Sequence, residues 1–180
     1  VKRDRVWLWV GGALLALVLV GGGAVVVVSR ERLRDLLRRA AIRYGIRPEL
    51  VDALAKVESN WKLGAVNKAG RDGARGGAFG PTQITEQTLR SHGGTFPAEQ
   101  LTQDPELAAE WTARIIAARP GGPPTTPEDL AAWWNAGRSS WAALPLTVTR
   151  KRADGSSYSE PHPTRADYLP KLVDALDELA

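Results

Sequence analysis

Pro48-Glu49-Leu50-Val51-Asp52-Ala53-Leu54-Ala55-Lys56-Val57-Glu58-Ser59-Asn60-Trp61 decides the fold, because Leu50, Val51, Leu54, Val57 and Trp61 recur at the three-and-four spacing of one helix face. Pro48 stands at a favoured first-turn position, so the helix starts there. Glu58 borders the apolar face, seven residues after Val51 and four after Leu54. A carboxyl at the edge of a core loses hydration, which disfavours its charged form and raises its pKa by up to roughly 3 to 5 units. Such a group suits a proton donor at neutral pH. The same pattern also fits a half-exposed glutamate that merely ends a helix.

Upstream, residues 32–44 place Leu33, Leu36, Leu37, Ala40, Ala41 and Tyr44 on one helix face and Arg32, Arg34, Arg38, Arg39 and Arg43 on the other. Gly45 ends this amphipathic helix. It either packs on the Glu58 helix as a hairpin or lies on a membrane surface. Downstream, residues 64–81 hold six glycines and read as a loop. Within it, Gly70-Arg71-Asp72-Gly73-Ala74-Arg75-Gly76 is no phosphate cradle, since no strand precedes it and no Gly-Lys-Ser/Thr follows. Helical patterns resume over 85–91, 105–118, 127–136 and 165–179, with Pro120-Gly121-Gly122-Pro123-Pro124 as a stiff linker. Alternation over 146–150 and the turn signal Asp154-Gly155 before 156–159 predict a small β-hairpin. The expected class is mainly α, of the α+β kind.

Residues 6–28 form 23 consecutive positions without a charge. As a helix they extend about 35 Å, enough to cross a bilayer core of roughly 30 Å. The expectation is a single transmembrane helix over 6–28, after a basic tail at 1–5 and before one domain at 30–180. A cleaved signal would carry a shorter apolar region, and Trp7 and Trp9 stand where interfacial tryptophans do. Residues 1–47 carry ten Lys or Arg against three acids, while 48–180 carry fourteen against seventeen. Basic character therefore belongs to the flank of the apolar segment, suited to anionic head groups, and the domain is a poor partner for nucleic acid. There are no cysteines and two histidines, so neither a thiolate metal site nor a usual zinc set is expected, and no cofactor is implied. His92 and His162 read as surface residues, and Trp61, Trp111, Trp133, Trp134 and Trp141 as core.

Glu58-Ser59, Gly80-Pro81-Thr82-Gln83-Ile84, Trp133-Trp134-Asn135-Ala136-Gly137 and Thr164-Arg165-Ala166-Asp167-Tyr168, in that order and approximate spacing, resemble the catalytic domain of soluble lytic transglycosylases, relatives of goose-type lysozyme. The resemblance runs from about Leu33 to the C-terminus. It implies a lysozyme-like fold in which Glu58 is the single catalytic acid and base. Its target would be the β-1,4 bond between N-acetylmuramic acid and N-acetylglucosamine in peptidoglycan, and its product a 1,6-anhydro ring. Ser59, Gln83, Asn135 and Tyr168 would bind substrate or surround the acid, and Asp72 is retained as a candidate second carboxylate. Three departures stand out: Gly80-Pro81-Thr82-Gln83 replaces the family's usual Gly-Leu-Met-Gln, Trp134 replaces a tyrosine before Asn-Ala-Gly, and the glycine loop before Gly80 is long. A hydrolytic lysozyme of the same fold, and an anchored wall-binding assembly protein that does not cut, are the alternatives. The arginines after the apolar segment favour a cytoplasmic domain by the positive-inside rule, whereas peptidoglycan lies outside. Either the domain is translocated against that bias to face the wall, or the chain belongs to a bacteriophage particle, in its virion membrane or tail.

Overall fold

The computed structural model describes residues 16–20, 23–68 and 77–180. Its framework is helical. Helix α1 (Arg30–Arg43) begins at Ser29, whose hydroxyl accepts the Arg32 N–H, as N-cap serines do. Helix α2 (Pro48–Ser59) follows after Gly45, at φ +68°, and has proline in its first turn. The two pack as the expected hairpin through Leu33, Leu37, Ala40 and Ala41 on one side and Leu50, Val51 and Leu54 on the other, all buried. Fully burying each leucine contributes about 1.5 to 3 kcal/mol, which outweighs the helix propensity of either segment alone.

Around this hairpin run α3 (Glu86–Ser91), α4 (Pro105–Ala117), α5 (Pro127–Ala136) and α6 (Leu169–Asp177). A 3-10 turn at Ala98–Thr102 precedes α4, and a π-helical turn at Thr164–Tyr168 leads into α6. Helix α4 packs on α1, and α6 packs on α2 and α5. Asp104 and Thr126 cap α4 and α5 by accepting first-turn N–H groups.

The N-terminal segment departs from the expected helix over 6–28. In its described part, β1 (Ala16–Val20) and β2 (Gly23–Val27) pair antiparallel, with Ala16 opposite Val27 and Val20 opposite Gly23; residues 1–15 and 21–22 lie outside the described residues. Among the described residues no helix is long and apolar enough to cross a membrane. The physical reason is composition: an apolar run does not by itself distinguish strand from helix, valine favours strands, and each interior glycine costs a helix about 1 kcal/mol.

The glycine-rich region 64–81 is also more than loop. Strands β3 (Val66–Asn67), β4 (Ala78–Phe79) and β5 (Ile84–Thr85) form a small antiparallel sheet. Residues 69–76, including Asp72, fall outside the described residues. The expected hairpin is present as β6 (Thr147–Lys151) and β7 (Ser157–Pro161), turning at Gly155 with φ +83° while Asp154 accepts the Ser156 N–H.

Candidate active site

Glu58 lies in the last turn of α2 and is half-buried. The helix stops abruptly there because Asn60 and Trp61 both adopt left-handed backbone, at φ 54° and 57°. That reversal folds the Trp61 indole back along the helix, where its N–H donates to Asp52 at 2.7 Å. Asp52 is fully buried and also accepts from Arg34 (2.8 and 3.0 Å) and Arg38 (3.0 Å) of α1. Arg34 in turn stacks 5.0 Å from the Trp61 ring centre. One carboxylate thus joins α1, α2 and the residues just past Glu58. Sequence reasoning passed over Asp52; the available signal was an acid inside an apolar face, opposite two arginines four residues apart.

The Tyr168 hydroxyl donates to Glu58 Oε1 at 2.5 Å. Tyr168 is itself nearly buried, at the end of the π-helical turn. That turn is tied to α5 by Thr164, whose hydroxyl donates to Asn135 Oδ1 at 2.7 Å and is 1% exposed as a residue. Thr164 entered the sequence reading only as the first residue of the motif that ends at Tyr168, with no role of its own.

Ser59 does not point its donor at open space. Its hydroxyl donates to the Pro81 carbonyl (2.8 Å) and accepts the Lys62 N–H (3.0 Å), so it braces the 80–83 turn against the end of α2. Gly80 sits at φ +76°, and a β-carbon there would stand 2.9 Å from the Leu101 carbonyl oxygen, so glycine is required. Gln83 also has positive φ, 55°, an unusual conformation for this residue type that its side-chain bond to the Gly80 carbonyl (2.8 Å) helps hold. Thr82, at the position of the family's usual methionine, is fully buried and shares a 2.7 Å hydroxyl contact with Thr112 of α4.

Gln83 opens onto a cleft of about 270 Å³ whose walls include Thr88, His92, Trp133, Trp134 and Gly137. Glu58 is not one of its walls; it adjoins the cleft through Ser59 and the 80–83 turn on one side and through Tyr168, Thr164 and Asn135 on the other. The sequence reading placed Trp61, Trp111, Trp133, Trp134 and Trp141 in the core. Trp61 and Trp111 are buried there, whereas Trp133, Trp134 and Trp141 are half-buried, and the first two of these line the cleft. His92 and His162 are likewise half-buried and not surface residues: His92 packs edge-on against Trp133, and His162 accepts the Thr164 N–H. Burial, reinforced by Arg165 and Arg138, holds the His162 imidazole below its ordinary pKa. A larger open groove of about 540 Å³ between α1 and α4, beside Arg39, Ile42 and Glu106, includes none of these site residues among its walls.

A carboxyl oxygen held by a phenol beside a half-apolar cleft is equipped for proton transfer to a bound polar substrate. Comparison with protein families matches residues 35–145 to the transglycosylase SLT domain. The match spans well over half of the chain and includes Glu58, Ser59, Gln83 and Asn135, while Tyr168 lies beyond it. Comparisons with curated proteins and with solved structures return no match. The chain belongs to the transglycosylase SLT domain family, whose members are peptidoglycan-cleaving enzymes of the lysozyme-like superfamily.

Proposed function

We propose that this member of the family breaks the β-1,4 bond between N-acetylmuramic acid and N-acetylglucosamine, with Glu58 as acid and then as base. The observation that carries the reading is the Tyr168 to Glu58 hydrogen bond. It joins a residue inside the matched region to one outside it and holds the carboxyl in one orientation. With Oε1 accepting from the phenol, the carboxylic proton resides on Oε2. That proton passes to the glycosidic oxygen as the bond to the muramic C1 breaks, and positive charge develops on the ring. The resulting Glu58 carboxylate then takes the proton from the sugar's own 6-hydroxyl, whose oxygen closes onto C1. The carboxyl is restored and a 1,6-anhydro end is left, so no second carboxylate is needed.

Gln83, Asn135, Trp133 and Trp134 support the strand in the cleft, and Ser59 supports the turn that carries Gln83. Digestion of peptidoglycan by the full chain, followed by mass spectrometry, tests the reaction. Anhydro-muropeptides that disappear with Glu58→Gln are expected; reducing ends alone would leave a hydrolase of the same fold.

The apolar stretch 6–28 is proposed to hold the domain at a membrane, with the catalytic side toward the wall. Its uncharged run and the basic residues on both flanks support this. Retention in the membrane pellet after alkaline extraction, together with digestion of the domain by protease added to spheroplasts, is the expected result. Release into the supernatant would remove the membrane attachment.

A further inference from the structure

Asp52, Thr82, Thr112 and Thr164 are each no more than 1% exposed. Asp52 joins α1 to α2, and Thr164 joins the π-helical turn to α5. Thr82 and Thr112 make a third such tie, and it runs in one direction. The Thr112 hydroxyl lies 2.7 Å from the Ala108 carbonyl, one turn back on α4; a carbonyl only accepts, so the single Thr112 hydroxyl hydrogen goes there. At the 2.7 Å contact between the two hydroxyls Thr82 is therefore the donor. A one-way chain leads from the 80–83 turn through Thr112 into the backbone of α4.

The turn is thus held from two sides. Ser59 fixes Pro81 from the end of α2, next to Glu58, and Thr112 fixes Thr82 from α4. Gln83 follows directly with its positive φ, a conformation that persists only where the surroundings over-determine it. Three residues beyond Thr112 on α4, the Ile115 carbonyl accepts the Trp133 indole N–H at 3.2 Å. Gln83, Ile115 and Trp133 are all walls of the cleft. One turn of α4 therefore carries both the bond that places the Gln83 wall and the bond that places the Trp133 wall. Thr82 and Thr112 are themselves too deeply buried to meet a ligand.

We propose that Thr82 and Thr112 are positioning residues that set the spacing of Gln83 from Trp133, and with it the fit of the cleft to its ligand. On the reading that this ligand is a peptidoglycan glycan strand, they govern how tightly the strand is held. Proton transfer at Glu58 is left to Tyr168 and to the Ser59 brace. Methionine, usual in the family where Thr82 stands, fills space without fixing a direction, whereas a hydroxyl pair fixes both distance and angle.

Calorimetry of the full chain carrying Glu58→Gln, which binds without turnover, against soluble glycan strands measures the hold directly. Adding Thr82→Val keeps the shape and removes the donor; binding is expected to weaken about fivefold, the worth of one net hydrogen bond, while Thr82→Ser stays close to the parent. With Glu58 intact, Thr82→Val should raise KM about fivefold and leave kcat within about twofold. A purely structural role would instead lower the fraction of active enzyme, and so the apparent kcat, at constant KM. Thr112→Val strands the Thr82 donor in the core and should lower the melting temperature; combining it with Thr82→Val should restore the melting temperature and still bind weakly. Unchanged affinity and KM in Thr82→Val, or in the folded double variant, overturns the proposal, and so does an equal loss in Thr82→Ser. Strands that bind but are not cut by the wild-type chain refute the cleavage reading alone, with calorimetry still deciding the positioning role. Strands that do not bind overturn both.

Discussion

Two of the carboxylates on helix α2, Asp52 and Glu58, stand six residues apart in contrasting surroundings. Asp52 is fully buried and accepts hydrogen bonds from two guanidinium groups and an indole. Glu58 is half-buried and meets the neutral hydroxyl of Tyr168. A carboxylate surrounded by cations and N–H donors is committed to architecture, because removing it leaves buried donors without partners. A carboxyl facing a phenol at the margin of a cleft keeps the capacity to exchange a proton with whatever enters. One helix thus supplies both the anchor that fixes the site and the carboxyl proposed to act in it.

Breaking the functional half should have the largest effect. Glu58→Gln is expected to lower release of soluble product about 10³-fold while leaving the melting temperature close to wild type. A comparable loss in stability would show that Glu58 is also architectural and dissolve the contrast. Next comes the architectural half: Asp52→Ala should cost about 2 kcal/mol, below the usual value for a broken buried pair because Arg34 and Arg38 keep contact with water. A fall in melting temperature of roughly 4 to 8 °C, with activity per folded molecule largely kept, is the expected reading. Tyr168→Phe sharpens the comparison further, since it removes the bond that orients Glu58 and leaves the ring in the core. Activity should drop about tenfold through kcat more than through KM.

The smallest effect concerns pH. The folded pKa of His162 lies below its ordinary value because burial, Arg165 and Arg138 all disfavour the cation. The unfolded chain therefore binds the extra proton first, and stability falls as pH drops. The contribution is complete above about pH 6.5 and is lost as pH falls through the folded value. Protonation would also oppose the Thr164 N–H bond to His162 Nδ1. A decline in melting temperature from pH 7 to pH 5 that is smaller in His162→Gln than in wild type is expected. Glu86, held below the ordinary carboxylate range by the Ala98 N–H, contributes in the same direction at lower pH, so the two windows separate.

Local patterns were legible wherever a run of residues had one job. The stripe Leu50, Val51, Leu54, Val57 gave α2 and put Glu58 at its border, and the proline and glycine punctuation marked α4, α5 and the β6–β7 hairpin. Strands of two residues, such as Val66–Asn67, carry no period and escaped notice. The apolar run 6–28 satisfied the length criterion for a spanning helix, yet its described residues 16–20 and 23–27 pair as strands, because apolar composition without alternation is silent about backbone type. Ser59 stood out in the sequence as a candidate beside the acid, but its work as a brace for Pro81 did not, since a hydroxyl's partner depends on what the fold brings near it.

From the chain alone follow the helical frame, the position of the acid at the margin of an apolar face, and the family to which the motifs belong, because propensity, periodicity and motif order are properties of neighbouring residues. Tertiary structure alone decided that a phenol 110 residues away reaches that acid, that Asp52 gathers Arg34, Arg38 and Trp61, and that Thr164 ties the π-helical turn to Asn135. Such meetings arise from how helices pack, and packing reflects the shape and burial of whole faces, which no local stretch of sequence encodes.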